Sequence, residues 1–247
     1  MPSPLTGTPQ AVALRARIDA VLARVDDAAR AAGRDPGEVR LLLATKTQDA
    51  ATVLAAVAAA PGGRPVLVGE NRVQELVAKA PALAPLVADE RCEVHLIGHL
   101  QRNKVNQALA TASCVQTVDS LALATALASR CARDGRVLDV MVQVNVSGEA
   151  TKAGVAPEDA AGLAHEVAAL DGLRLTGFMT IGARSDDAHV RAGFARLRTI
   201  RDDVVTGGAP GTADARELSM GMTGDLELAV AEGATIVRVG TAVFGPR

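Results

Sequence analysis

Lys46 directly follows the short, mostly apolar run Val39 to Thr45, and two stretches rich in small residues come much later, Leu218 to Met222 and Val237 to Thr241. A primary amine at the tip of a buried strand can condense with an aldehyde if it is unprotonated. Desolvation at an apolar tip moves a lysine's pKa in that direction. Small residues let backbone N–H groups approach phosphate oxygens, so the set suits a phosphorylated aldehyde. Taken alone, Lys46 reads equally well as a lysine whose stem lies on apolar surface while its amine reaches water. The decision rests on the elements that would bring the two distant stretches to it.

Those elements are legible as an alternation. From Leu14, the positions Ile18, Val21, Leu22, Val25 and Ala29 keep helical spacing, and Gly33 supplies the left-handed residue that ends such a helix. Strand-like runs then recur at 39–45, 65–68, 93–97, 114–118, 137–146, 173–181, 216–219 and 235–239. Helix-compatible stretches separate them at 48–59, 70–80, 101–110, 120–133, 157–169, 188–205 and 223–232, with start signals such as Asp119 and Ser120 before Leu121. Strict alternation with continuously apolar strands predicts a parallel sheet covered on both faces, and eight repeats predict closure. The expectation is an α/β fold, a single (β/α)8 barrel of TIM type over residues 1–247, with an extra N-terminal helix. Only Gly240 to Arg247 follow the last run, too few for an eighth crossover helix, so helix 11–32 is expected to cover the groove that helix would fill. Residues 1–10 are expected to be flexible.

In such a barrel the active face is the rim at the carboxyl ends of the strands. That rim would carry Lys46, Glu70, Asn71, His99, Asp119, Asn145, the Ser219 to Met222 loop, Gly240 and Thr241, with His95 and Met179 a little below. The loops after strands seven and eight are a barrel's usual phosphate cradle. Ser219, Gly221, Gly240 and Thr241 occupy those places, opposite Lys46. Arg238 lies inside the last apolar run, where a guanidinium is costly without an acceptor. A carboxylate such as Asp225 or Glu227 is one partner, and the pyridine nitrogen of pyridoxal 5'-phosphate (PLP) is another. In the second case a permanent cation would keep that nitrogen unprotonated and weaken the ring as an electron sink. Gln101 to Lys104 reads as a solvated polar face, and Glu149 with Lys152 as either a surface pair or an anion site.

Composition removes other functions. A net charge of −2 over 247 residues gives no field to draw nucleic acid. The chain has no Trp, no Tyr and only three Phe, so it has no tyrosine base and no Tyr or Trp platform for stacking bases. Cys92, Cys114 and Cys131 lie on or beside apolar runs without C-x-x-C spacing, and read as buried thiols of a reducing compartment. No His, Cys and carboxylate cluster has metal-ligand spacing. Met1 to Gln10 lacks the basic and apolar regions of a leader, and no run reaches the roughly 18 apolar residues of a membrane span. A cytoplasmic protein is expected.

The motifs Leu43 to Thr47, Gly69 to Glu75, His95 to Lys104, Val144 to Ser147 with Lys152 to Gly154, Gly177 to Thr180, Leu218 to Met222 and Val237 to Gly245 resemble, in order, those of the pyridoxal phosphate homeostasis protein family. These are one-domain relatives of the alanine racemase barrel. The resemblance implies that Lys46 carries PLP as an internal aldimine and that Ser219, Gly240 and Thr241 hold its phosphate. It also implies that Arg238 faces the pyridine nitrogen and Asn71 lies near the ring. The implied function is PLP binding without demonstrated catalysis, in the cellular balance of B6 vitamers. The leading expectation is a non-catalytic protein of intracellular PLP homeostasis that stores the cofactor or passes it transiently to PLP-dependent apoenzymes, and a monomer is expected because no second domain is read in the sequence. The racemase needs a lysine on one face of its substrate and a tyrosine from another domain on the other, and this chain has no Tyr. Arg72 stands where the family usually has an aromatic, which leaves any ring contact there open. Two alternatives stay open: a racemase-like PLP enzyme using Lys46 as its single base, and a PLP-free Schiff-base aldolase acting on a phosphosugar.

Overall fold

Eight short runs of Leu, Val and Ile pair in chain order, and the last closes on the first: β1 (Arg40–Ala44), β2 (Val66–Glu70), β3 (Cys92–Leu96), β4 (Cys114–Val118), β5 (Leu138–Gln143), β6 (Leu173–Met179), β7 (Glu217–Ser219) and β8 (Ile236–Val239). All these pairings are parallel. The computed structural model describes residues 8–149, 152–183 and 185–246. The flexibility expected of 1–7 lies outside them, whereas Pro9 and Gln10 are already helical.

Helices α2 (Ala50–Ala59), α3 (Val73–Ala88), α4 (Val105–Leu109), α5 (Leu121–Asp134), α6 (Ala160–Ala168), α7 (Asp187–Thr206) and α8 (Leu226–Ala231) connect successive strands, and a one-turn α9 (Thr241–Phe244) follows β8. Before β1 comes α1 (Pro9–Ala31), opened by Thr8, whose hydroxyl accepts the Ala11 N–H, and followed by Gly33 at φ +68°. Its stripe Leu14, Ile18, Val21, Val25 and Ala29 is buried against α2, α8 and α9. The extra helix therefore fills the gap between the last helix and the first. Burial of each of its larger aliphatic side chains contributes about 1.5–3 kcal/mol.

Two elements depart from the pattern read in the sequence. The helix expected to stop at 80 runs to Ala88 through Pro81 and Pro85. Burial of Val73, Leu76 and Leu83 along one face outweighs the hydrogen bonds the prolines forgo. The helix expected over 101–110 divides into a 3-10 turn, Arg102–Lys104, and the short α4. Glu70, expected on the rim, is instead the last residue of β2.

Strand alternation sorts side chains into two cores. Leu42, Ala44, Leu67, Ile97, Cys114, Met141, Met179 and Ile236 pack inside the barrel, while Leu43, Val68, Phe178 and Phe194 belong to the larger core between strands and helices. The same alternation turns Glu93, His95, Gln116, Ser219 and Arg238 inward. It turns Thr45 and Glu70 outward, towards α3.

Candidate functional site

Lys46 continues the inward alternation of Leu42 and Ala44 and stands half-buried in the turn that follows β1. The chain on either side of it is clamped from α3. Lys79, buried on that helix, donates from Nζ to the Thr45 carbonyl at 2.9 Å and to Glu70 Oε1 at 2.6 Å. The Thr45 hydroxyl donates to the same Glu70 oxygen at 2.5 Å. On the other flank Glu75 Oε2 accepts the Thr47 N–H at 2.8 Å, and Thr47 sits at φ +68°, a left-handed conformation that costs a β-branched residue about 1–3 kcal/mol. A strained turn held at both ends fixes the backbone from which the amine projects. Desolvation raises Glu70 above the usual carboxylate range, against the opposing hydrogen bonds from Lys79 and Thr45.

Registration with β8 brings the distant stretch to this turn. Leu42 pairs with Arg238 and Leu43 with Val239, so the next step up the barrel sets Gly240 beside Ala44. A Cβ on Gly240 would lie 3.1 Å from the Ala44 carbonyl oxygen. Gly221, at φ +90°, would place a Cβ 2.4 Å from that of Ala229. Both loops therefore present main chain rather than side chain. Gly240 and Thr241 open α9, and the first amides of a helix have no partner within it. The Thr241 hydroxyl donates to that of Thr223, which ties the two loops together. Small loops that expose main-chain amides fit a phosphorylated group, and the amine of Lys46 fits its aldehyde.

Arg238 is buried. Its Nη2 donates to the Thr180 carbonyl at 2.7 Å and its Nη1 to Ser219 Oγ at 2.9 Å. Burial pushes the guanidinium down to about 10, still charged at neutral pH. The carboxylates considered as its partners make their hydrogen bonds elsewhere: Glu227 pairs with Arg24, and Asp225 Oδ1 accepts the Met222 N–H, so Asp225 acts on the guanidinium only through space, against the effect of burial. Ser219 in turn donates to Gln116 Oε1 at 2.6 Å, so its hydroxyl proton is committed inside the barrel.

Other residues read from the sequence fall outside this arrangement or at its edge. The backbone of Asn71 packs so closely on Gly98 that a Cβ there would meet the Asn71 carbonyl oxygen at 2.0 Å, which anchors Asn71 at the rim. His99 is exposed and faces Asp119 at 3.6 Å. Asn145 organises its own loop, donating to the carbonyls of Glu149 and Lys152 and accepting from Ser147. Lys152 pairs with Glu149 at 2.7 Å and donates to the Gly182 carbonyl, which resolves the Glu149 and Lys152 alternatives toward the pair. The three cysteines are buried and unpaired with one another, and desolvation, aided by Glu93, pushes Cys92 up to about 12. Lys79 and Gln116 escaped the sequence reading, and Thr180 entered it only as the end of a motif. The signals were present: Lys79 falls on the buried stripe Val73, Leu76, Leu83, and Gln116 interrupts a strand buried on both faces.

Residues 17–247 match the family model described as alanine racemase, N-terminal domain. A pyridoxal phosphate homeostasis protein of Pseudomonas aeruginosa is 44% identical over 228 residues, covering 92% of this chain and 93% of that one. The chain thus belongs to the alanine racemase N-terminal-domain family and, within it, to the pyridoxal phosphate homeostasis proteins. Among solved structures, one described as an unknown protein from Bifidobacterium adolescentis superposes with a TM-score of 0.90 at 45% identity, covering 95% of this chain and 96% of the other. PipY of Synechococcus elongatus, solved with PLP bound, superposes with a TM-score of 0.74 at 35% identity, covering 90% of this chain and 100% of that one.

Proposed function

We propose that this protein is a PLP holder: Lys46 condenses with the aldehyde, the Ser219 to Gly221 loop and Gly240 with Thr241 hold the phosphate, Arg238 faces the pyridine nitrogen, and Asn71 borders the ring. The observation that carries the reading is the strained, doubly clamped turn from which Lys46 projects, at the end of a strand whose Ala44 lies beside Gly240. When bound, PLP supplies an electrophilic aldehyde and a ring able to withdraw electrons. The protein's groups favour retention over chemistry. Arg238 stays charged at neutral pH, so it would keep the ring nitrogen unprotonated and the ring a poor electron sink. With no Tyr in the chain, the second base of a racemase is missing. The relatives' names and the PLP-bound PipY support the cofactor and a role in PLP homeostasis. We further propose a cytoplasmic monomer that passes PLP transiently to apoenzymes; among the described residues no helix is long and apolar enough to cross a membrane.

Mixing the purified protein with PLP is expected to give a visible absorbance band that borohydride fixes on the peptide containing Lys46, with negligible α-proton exchange of amino acids in deuterated water. Lys46→Ala is expected to give neither band nor labelled peptide. An unchanged band in that variant would overturn the assignment. Stereospecific exchange at enzymatic turnover would favour a racemase-like enzyme, and a protein that gains no chromophore at all would favour the aldolase reading.

A further inference from the structure

Below Arg238 the barrel interior holds a chain of hydrogen bonds that the rim does not need for enclosure. Ser219 Oγ lies 2.6 Å from Gln116 Oε1, Gln116 Nε2 lies 2.8 Å from His95 Nδ1, and His95 Nε2 lies 3.3 Å from Glu93 Oε2. Glu93 Oε1 meets Arg40 at 2.7 Å near the opposite mouth, where a cavity of about 430 Å³ opens. The chain therefore spans the barrel from one mouth to the residue beneath the rim site.

Its polarity follows from which atoms can donate. Burial would raise Glu93, but hydrogen bonds from His95 and Arg40 outweigh it and hold the carboxyl at about 2, so it only accepts. Gln116 presents its amide nitrogen, which can only donate, to His95 Nδ1, so Nδ1 accepts and the ring's proton lies on Nε2, toward Glu93. Gln116 turns its oxygen to Ser219. The hydroxyl proton of Ser219 goes to that oxygen, leaving a lone pair for Arg238. Every donor points the same way, from the guanidinium down to the carboxylate, an arrangement in which successive bonds polarise one another.

We propose that Gln116 and His95 are positioning residues which, anchored on Glu93, fix the direction of the Ser219 hydroxyl and the seat of the Arg238 guanidinium. The consequence for the cofactor rests on the reading above; the polarity of the relay does not. Nitrogen-15 NMR of histidine-labelled protein without PLP, with the His95 signal assigned by its loss in His95→Asn, is expected to show the Nε2–H tautomer. In Gln116→Glu, which keeps an acceptor toward Ser219 but offers none of the N–H toward His95, the Nδ1 position is expected to become protonated. An Nδ1–H tautomer in the unaltered protein, or an unmoved signal in Gln116→Glu, would overturn the relay whether or not PLP binds. With PLP, Gln116→Leu is expected to hold it about tenfold more weakly, the worth of one buried hydrogen bond. The pH titration of its visible band is also expected to shift, and Ser219→Ala is expected to add little to that loss. If Gln116→Leu does not fold, Gln116→Glu serves for the same titration. A folded variant with lower thermal stability but unaltered affinity and band titration would reduce Gln116 to a packing role. Absence of any band in the unaltered protein would instead defeat the PLP reading and leave the NMR result standing.

Discussion

Glu70 and Lys79 form an ion pair inside the layer between strands and helices, and one carboxylate oxygen, Glu70 Oε2, has no hydrogen-bond partner among the described residues. Such a pair is weak in net terms, yet losing one member strands the other in a poor solvent. Lys79→Met is therefore expected to lower unfolding free energy in urea by about 3–5 kcal/mol. The double variant Lys79→Met with Glu70→Leu is expected to recover most of that loss. Additive losses in the cycle would show that the two side chains act independently. Because Lys79 also holds the Thr45 carbonyl, Lys79→Met is expected to slow PLP uptake at Lys46 even where the fold persists. Charge pairs of this kind were only half legible in the sequence. The helical spacing of Lys79 with Leu76 and Leu83 is a signal of burial, but its acceptors are Glu70 of β2 and the Thr45 carbonyl just past β1, and sequence spacing does not reveal which residues of neighbouring strands meet.

At the level of elements, α1 is the piece a barrel of this type adds to its usual inventory. Its apolar stripe rests on α2, α8 and α9, so removing residues 8–31 would uncover the outer wall of β1 and β8. The truncated chain is expected to aggregate on expression, as judged by size-exclusion chromatography. A soluble truncation with an unchanged melting temperature would show that α1 is not part of the closure. The alternation of eight strands with connecting helices was readable because each strand is apolar on both faces and each helix carries a periodic stripe. Helix ends were less readable. α3 passes two prolines because tertiary burial, not local propensity, decides where it stops.

The molecule as a whole carries charge at both mouths of its barrel, and its acid response follows from the mouth that Glu93 and Arg40 line. Glu93 stands at about 2 in the fold against an ordinary value of 4.5. A carboxylate depressed by folding contributes stability that is fully present above its unfolded value and lost as pH falls through its folded one. Thermal midpoints are therefore expected to drop between about pH 5 and pH 2, with Glu93→Gln less stable at neutral pH and flatter across that window. An equally steep fall in Glu93→Gln would place the acid-sensitive group elsewhere. Glu70, raised by burial, works with the opposite sign and partly offsets the loss.

By itself the sequence determined the repeating order of strand and helix, the position of Lys46 at a strand tip and the two glycine-bearing loops, because periodicity and residue size are local properties. Only the tertiary structure decided that Arg238 is met by a hydroxyl and a carbonyl rather than a carboxylate, that Lys79 braces the turn around Lys46, and that Gln116 links His95 to Ser219. Those pairings depend on strand registration around a closed sheet, where a shift of one residue would exchange every inward side chain for an outward one.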